Sequence, residues 1–271
     1  MPQIKANGID LYYELHGEAG KPVVVLIAGL GYSMWMWNRM LPLLAKRCQV
    51  LAFDNRGVGQ SARPAGPYSA RLLADDTAAL MDALGIKKAT VMGHSMGGFI
   101  AQAFALTYPA KVERLILSAT NFGGPHHIPI TPAAMAVLSD ISGDPVARFK
   151  RGLAVSAAPG FAEREPQLIE EWVAYRLQNP IDPAAYQAQM AIGLGLLSEA
   201  ACFEKRLAQI QAPTLILFGE HDQVVPPANA PLLAQQISSS QIVLLPNAGH
   251  FFPLETPQAA VEKIFSFCME E

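Results

Sequence analysis

The chain has 271 residues, of which 51% are hydrophobic and 16% charged, and its formal net charge is −3. Low charge with high apolar content excludes a disordered chain, and the lack of any basic surplus excludes an electrostatic footprint for nucleic acid. A chain of this size buries roughly three quarters of its extended surface on folding, which suits one large α/β domain or two small ones.

Two short alternating runs, Gln3–Ala6 and Asp10–Leu15, flank Asn7-Gly8, the dipeptide that favours a two-residue hairpin. A continuous apolar run follows at Val23–Ile27, with similar runs at Val50–Phe53, Ala89–Met92, Leu115–Leu117, Thr214–Phe218 and Ile242–Leu245. Strands apolar on both sides belong in a parallel sheet covered on both faces. Between them, Tyr68–Leu84 reads as a helix with Ser69 as its N-cap and Gly85 at its stop. Strands alternating with helices give an α/β architecture, a mostly parallel central sheet with helices on both faces.

The alternation breaks after Leu117. From about Phe122 to Ile210 no buried strand is legible. Four pairs there, Thr131-Pro132, Asp144-Pro145, Glu165-Pro166 and Asp182-Pro183, place a polar residue before proline, three of them with a good capping residue. The expected organisation is a core domain in two parts, 1–121 and 211–271, with a helical cap inserted at 122–210.

The N-terminus has no apolar run of the kind a secretory signal needs, and no stretch reaches the ~18 apolar residues that span a bilayer. Cys48, Cys202 and Cys268 are too widely spaced for a disulfide framework or a zinc site, and suit a reducing compartment. A cytoplasmic protein with no membrane partner, no metal and no other cofactor is the expectation, as monomer or homodimer.

Directly after the strand at Ala89–Met92 stands Gly93-His94-Ser95-Met96-Gly97-Gly98, and a helix-like run, Phe99–Thr107, follows. This is G-x-S-x-G between strand and helix. A serine held at such a sharp turn needs small neighbours, and the helix N-terminus behind it favours developing negative charge. A serine hydroxyl also needs a base, and a histidine base needs an acceptor to fix its tautomer. Asp222 lies just past the strand at Thr214–Phe218, and His250 just past the strand at Ile242–Leu245. Nucleophile, acid and base thus follow in chain order, each at a strand's carboxyl end, where open α/β sheets gather their ligands.

With these motifs the chain resembles the α/β-hydrolase-fold serine hydrolases nearly end to end. Ala28-Gly29-Leu30-Gly31 follows an apolar strand with Trp37 a few residues on, and Asp54-Asn55-Arg56-Gly57-Val58-Gly59-Gln60-Ser61 is similar to the family's D-x-R-G-x-G-x-S turn. The resemblance implies Ser95 as nucleophile, His250 as general base and acid, Asp222 as the orienting carboxylate, and the N–H groups of Leu30 and Met96 as the oxyanion hole. Many relatives carry His-Gly where this chain has Ala28-Gly29, so the oxyanion loop must be held by something other than an imidazole. Dehalogenases and epoxide hydrolases of the fold carry aspartate at the elbow, which Ser95 excludes.

Other candidates read as structural. Asp54 braces its turn, Glu220 points away from the site, and His94 is a buried, hydrogen-bonded histidine. His126-His127 has no neighbouring carboxylate or cysteine at ligand spacing. The glycines of Gly93–Gly98 lack the lysine of a phosphate loop.

The expected substrate is a small to medium, largely apolar carboxylic ester, cleaved through an acyl-enzyme on Ser95. Tyr32, Met34, Phe99, Phe122, Val224 and Phe251 are the expected pocket lining, along with Leu30. No arginine or lysine has a position certain to face that pocket, which disfavours anionic substrates. The alternatives are a lactone or carbon–carbon bond hydrolase of aromatic degradation, an aminopeptidase with Glu165, Glu170 or Glu171 holding the amine, and a slow-turnover ligand receptor.

Overall fold

The computed structural model describes residues 2–140 and 142–269. Its strands are β1 (Gln3–Ala6), β2 (Ile9–His16), β3 (Val23–Ile27), β4 (Gln49–Phe53), β5 (Ala89–His94), β6 (Val112–Ser118), β7 (Thr214–Gly219) and β8 (Ser240–Leu245). They form one sheet in the order β1-β2-β4-β3-β5-β6-β7-β8. The β1/β2 and β2/β4 pairs are antiparallel and all others parallel. Asn7 and Gly8 turn the first hairpin with φ of 47° and 79°, the left-handed conformation such a turn requires.

Among the described residues, eleven α-helices accompany these strands: α1 (Leu41–Leu44), α2 (Ala70–Ala83), α3 (Met96–Thr107), α4 (Pro132–Ser139), α5 (Pro145–Ser156), α6 (Phe161–Arg164), α7 (Pro166–Gln178), α8 (Pro183–Leu194), α9 (Asn229–Gln236), α10 (Phe252–Glu255) and α11 (Pro257–Met269). None among the described residues is long and apolar enough to cross a membrane.

The apolar strands divide their side chains between two cores, as a period of two demands. Val25, Ile27, Val91, Leu115 and Ile216 enter a core with α2, α3 and α9. Val24, Leu26, Met92, Ile116 and Leu215 enter a second core with Trp37, α1 and α11 on the other face. Cover on both faces fails at β8, where Ile242 and Leu244 are exposed, because this strand is the sheet's edge.

Helices α4 to α8 lie between β6 and β7, and among the described residues no strand interrupts them. Each polar–proline pair starts a helix. Thr131, Asp144 and Asp182 accept N–H groups of the first turn of α4, α5 and α8. Glu165 makes no such bond at α7; its side chain, one methylene longer than aspartate, sits 3.7 Å from Arg39 instead. Ala188 and Ile192 of α8 belong to the core that holds α2 and α3. Leu153, Phe161, Ile169 and Trp172 form a third core with Phe251 and Leu254, from the segment just after β8. The helical segment is therefore packed against the loops at the sheet's carboxyl edge.

Arg56, in the D-x-R-G turn, donates from Nε and Nη2 to the carboxylate of Asp76 on α2, and both residues are buried. Removing one partner of a buried pair strands the other charge. Asp76→Ala is expected to lower stability by about 3–5 kcal/mol in urea denaturation; a loss under about 1 kcal/mol would show the pair contributing no more than an exposed one.

Candidate active site

Ser95 occupies the turn between β5 and α3 with φ 56° and ψ −119°, a conformation that L residues rarely adopt and that surrounding structure must enforce. Small residues on either side make that turn possible. A Cβ on Gly93 would stand 2.1 Å from the Gly97 carbonyl oxygen, and one on Gly97 would stand 2.3 Å from that of Ile27. Backbone of β3, β5 and α3 is therefore in direct contact around the serine. Gly98 N–H and Thr120 Oγ1 both donate to the Ser95 carbonyl, at 2.8 and 2.9 Å. Its side chain does not cap α3, so the Met96 amide at the helix start is left to an anion.

Asp222 follows β7 and His250 follows β8, and the sheet brings them together. His250 Nδ1 lies 2.8 Å from Asp222 Oδ2, with both side chains buried. The other carboxylate oxygen accepts N–H groups from Val224 and Val225 at 2.9 and 2.8 Å. Asp222 is thus fully committed, and its grip on Nδ1 leaves Nε2 as the ring nitrogen that the carboxylate does not hold. The His250 N–H donates to the Ser156 carbonyl at the end of α5, at 2.6 Å. Glu255 Oε2 accepts from Gly249 N–H and from Ala158 N–H, tying the histidine loop to the helical segment.

Ser95 and His250 line one cavity of about 250 Å³ with Gly29, Leu30, Tyr32 and Phe251. An outer cavity of about 640 Å³ shares Tyr32, Ser156, Arg176, Tyr186 and Phe251 with it. A further cavity of about 430 Å³, lined by Lys46, Cys48, Arg114 and Cys268, opens where strands begin. It holds no paired nucleophile and base, and burial raises both its thiols.

The loop after β3 is held from three sides. Asn55 Nδ2 donates to the Ala28 carbonyl at 3.1 Å, and Asp54 Oδ1 accepts the Met34 N–H at 2.8 Å. Gln189 of α8, wholly buried, accepts the Gly31 N–H at 2.9 Å and donates to the Arg56 carbonyl at 2.9 Å. Arg176 of α7 donates from Nη1 to the Gly31 carbonyl at 2.8 Å and lies 4.1 Å over the Tyr32 ring. An amide and a guanidinium from the helical segment thus do what an imidazole at position 28 cannot.

A family model described as the alpha/beta hydrolase fold matches residues 22–257. The chain belongs to this family. It is 30% identical to a protein of Azorhizobium caulinodans named as a carbamate hydrolase, RutD, over 100% of this chain and 99% of that one. It is 32% identical to the pimeloyl-[acyl-carrier protein] methyl ester esterase of Aeromonas hydrophila, over 91% and 95%. Among solved structures, the enol-lactonase from Burkholderia xenovorans matches with a TM-score of 0.83 at 30% identity, over 99% and 100%. Like these relatives, this α/β-fold chain is a hydrolase.

Of the six residues expected to line the pocket, Tyr32, Val224 and Phe251 do, beside Leu30. Met34, Phe99 and Phe122 do not reach it. Met34 packs with Trp37 in one core, while Phe122 is buried in the other and Phe99 lies against it. Apolar type alone could not tell lining from core. Glu170 and Glu171 are exposed, and Glu165 faces Arg39, so none of the three reaches the cavity. His126 pairs with Glu204, His127 with the Gly124 carbonyl, and no metal-ligating cluster exists among the described residues. The residues that spacing could not reveal are Gln189, Arg176 and Ser156, because they meet the site only through the packing of the helical segment.

His94 is buried, with Nδ1 2.8 Å from Ser118 Oγ and its ring centroid 4.9 Å from that of His250. Burial holds its pKa well below the usual 6.5, and the neighbouring His250 lowers it further. A neutral ring here places no like charge beside His250.

Gln189→Ala would leave the Gly31 N–H and the Arg56 carbonyl without their partners. It should cost about 1–3 kcal/mol of stability and lower kcat more than it changes KM, in urea denaturation and steady-state hydrolysis respectively. Loss of stability with kcat intact would separate Gln189 from the oxyanion loop. His94 gives a pH effect of known sign. Between about pH 7.5 and 5.5 the unfolded chain takes up a proton at this position that the folded chain refuses, so stability falls with pH. His94→Gln should lose less stability than the parent over that interval; equal slopes would show that His94 contributes nothing to it.

Proposed function

We propose that this chain hydrolyses small to medium carboxylic esters, lactones included, by two-step acyl transfer through Ser95. The observation that carries the reading is the buried Asp222–His250 pair, hydrogen-bonded through Nδ1, on the same cavity wall as a serine held at a strained strand-to-helix turn. In this mechanism His250 Nε2 takes the Ser95 proton as Oγ attacks the carbonyl carbon. Asp222 holds the imidazole in the tautomer that leaves Nε2 unprotonated and stabilises the imidazolium that forms.

The oxyanion falls to the N–H groups of Leu30 and Met96, one from the loop after β3 and one from the start of α3. A donor of this kind typically contributes about 3–4 kcal/mol to lowering the barrier. His250 then protonates the leaving alcohol, and water attacking the acyl-enzyme returns the serine. In a lactone the leaving alcohol stays attached, and the same groups serve. The relatives' names support this chemistry, since an esterase and an enol-lactonase both cleave an acyl–oxygen bond. The inner cavity of about 250 Å³ suits a compact acyl group, with the outer cavity receiving the remainder of the substrate.

Ser95→Ala is the direct test. Hydrolysis of p-nitrophenyl acetate and butyrate should fall by at least about a thousandfold, with the thermal melt unchanged, since loss of a lone nucleophile removes most of a triad's contribution. Retention of a tenth of the activity would assign the chemistry elsewhere.

A further inference from the structure

Arg176 departs from the expectation that no cation faces the pocket. It comes from α7, is half-buried, and lines both the cavity of Ser95 and His250 and the outer one. The comparison with Arg56 is instructive. Arg56 is also embedded, and Asp76 neutralises it through two hydrogen bonds. Arg176 takes part in no ion pair among the described residues; its partners are a carbonyl oxygen and the face of Tyr32. Neither carries a charge. A guanidinium has five N–H donors, and among the described residues the hydrogen bond that it forms is the one from Nη1 to Gly31. A partly desolvated cation with unused donors at a ligand cavity is costly unless a ligand supplies the counter-charge.

We infer that the catalytic cavity takes substrates that carry a free carboxylate as well as the scissile bond, monoesters of dicarboxylic acids or lactones with a carboxylate substituent, and that Arg176 holds that carboxylate. The inference rests on the acyl-transfer reading of Ser95 and narrows its substrate class. Geometry supports a carboxylate. The unused edge of a planar guanidinium matches two carboxylate oxygens. Tyr186 stands beside Arg176 on both cavity walls, and burial raises its phenol, so its hydroxyl is a donor at neutral pH. Leu138, Ile181 and Phe251 supply apolar wall for the methylene chain between the two ends.

Arg176 also braces the oxyanion loop, so the test must separate charge recognition from loop support. Monomethyl adipate and methyl heptanoate are similar in length and differ in the terminal charge. In pH-stat assays the wild type should show the higher kcat/KM for the monoester. Arg176→Met should reduce the ratio of the two kcat/KM values by about tenfold or more, chiefly through KM of the charged ester, and Arg176→Lys should recover part of it. Equal losses on both esters, or no wild-type preference for the charged one, would overturn the inference and leave Arg176 a loop brace.

A binding measurement is independent of turnover. Monomethyl adipate should bind the Ser95→Ala protein in calorimetry at least about tenfold more tightly than it binds Ser95→Ala/Arg176→Met. Binding that depends on Arg176, with no turnover of either ester and no fluorophosphonate adduct on Ser95, would sink the acyl-transfer reading and leave the carboxylate site standing. Binding indifferent to Arg176 would sink the site whatever the turnover.

Discussion

Around Ser95 three pieces of backbone touch. The carbonyl oxygens of Ile27 and Gly97 stand where side chains of residues 97 and 93 would otherwise be, and this contact locks the start of α3 against the ends of β3 and β5. A serine at positive φ is held only because its neighbours leave the chain no relaxed alternative. The same contact determines which groups face the reaction. With β3 and β5 adjacent and parallel, the loop after β3 and the first turn of α3 end side by side. Strands β7 and β8, parallel and adjacent, deliver Asp222 and His250 to the same edge.

The helical segment is part of this machinery rather than a cover over it. It grips the loop after β3 through Gln189 and Arg176 and the histidine loop through the Ser156 carbonyl and Ala158 N–H. Its aromatic residues pack on those loops as well, with Trp172 touching Tyr32, Trp35 and Phe251. A displacement of α5, α7 or α8 would therefore move the loops after β3 and β8 along with the pocket wall.

Charge is arranged with similar economy. Asp222 spends both oxygens on fixed donors, so it orients His250 without a competing partner. His94, beside His250, is kept neutral by burial. Asp54, buried and raised by desolvation despite the N–H groups of Gln60 and Met34, serves the loops and stands apart from the cavity lining. Arg176, in no ion pair among the described residues, lies on the wall of the cavity that holds Ser95 and His250.

The strands, their order of polarity along the chain, and the places of Ser95, Asp222 and His250 were legible because each depends on local signals. Apolar runs mark buried strands, Gly93 and Gly97 mark a turn too tight for a Cβ, and polar–proline pairs mark helix starts. Limits appeared wherever a residue's role depends on which neighbour it meets. Ile242–Leu245 looks as buried as the other apolar runs, yet it forms the sheet's edge. Met34, Phe99 and Phe122 share residue type with Tyr32 and Phe251 and lie in the core. Gln189 and Arg176 lie 158 and 145 positions from Gly31, and no periodicity joins them to it. The sequence by itself determined the architecture and the chemical groups, since backbone preference and strand-end position are written locally. Only the tertiary structure decided what holds the loop after β3 and which charge lines the cavity, because those depend on contacts between segments distant along the chain.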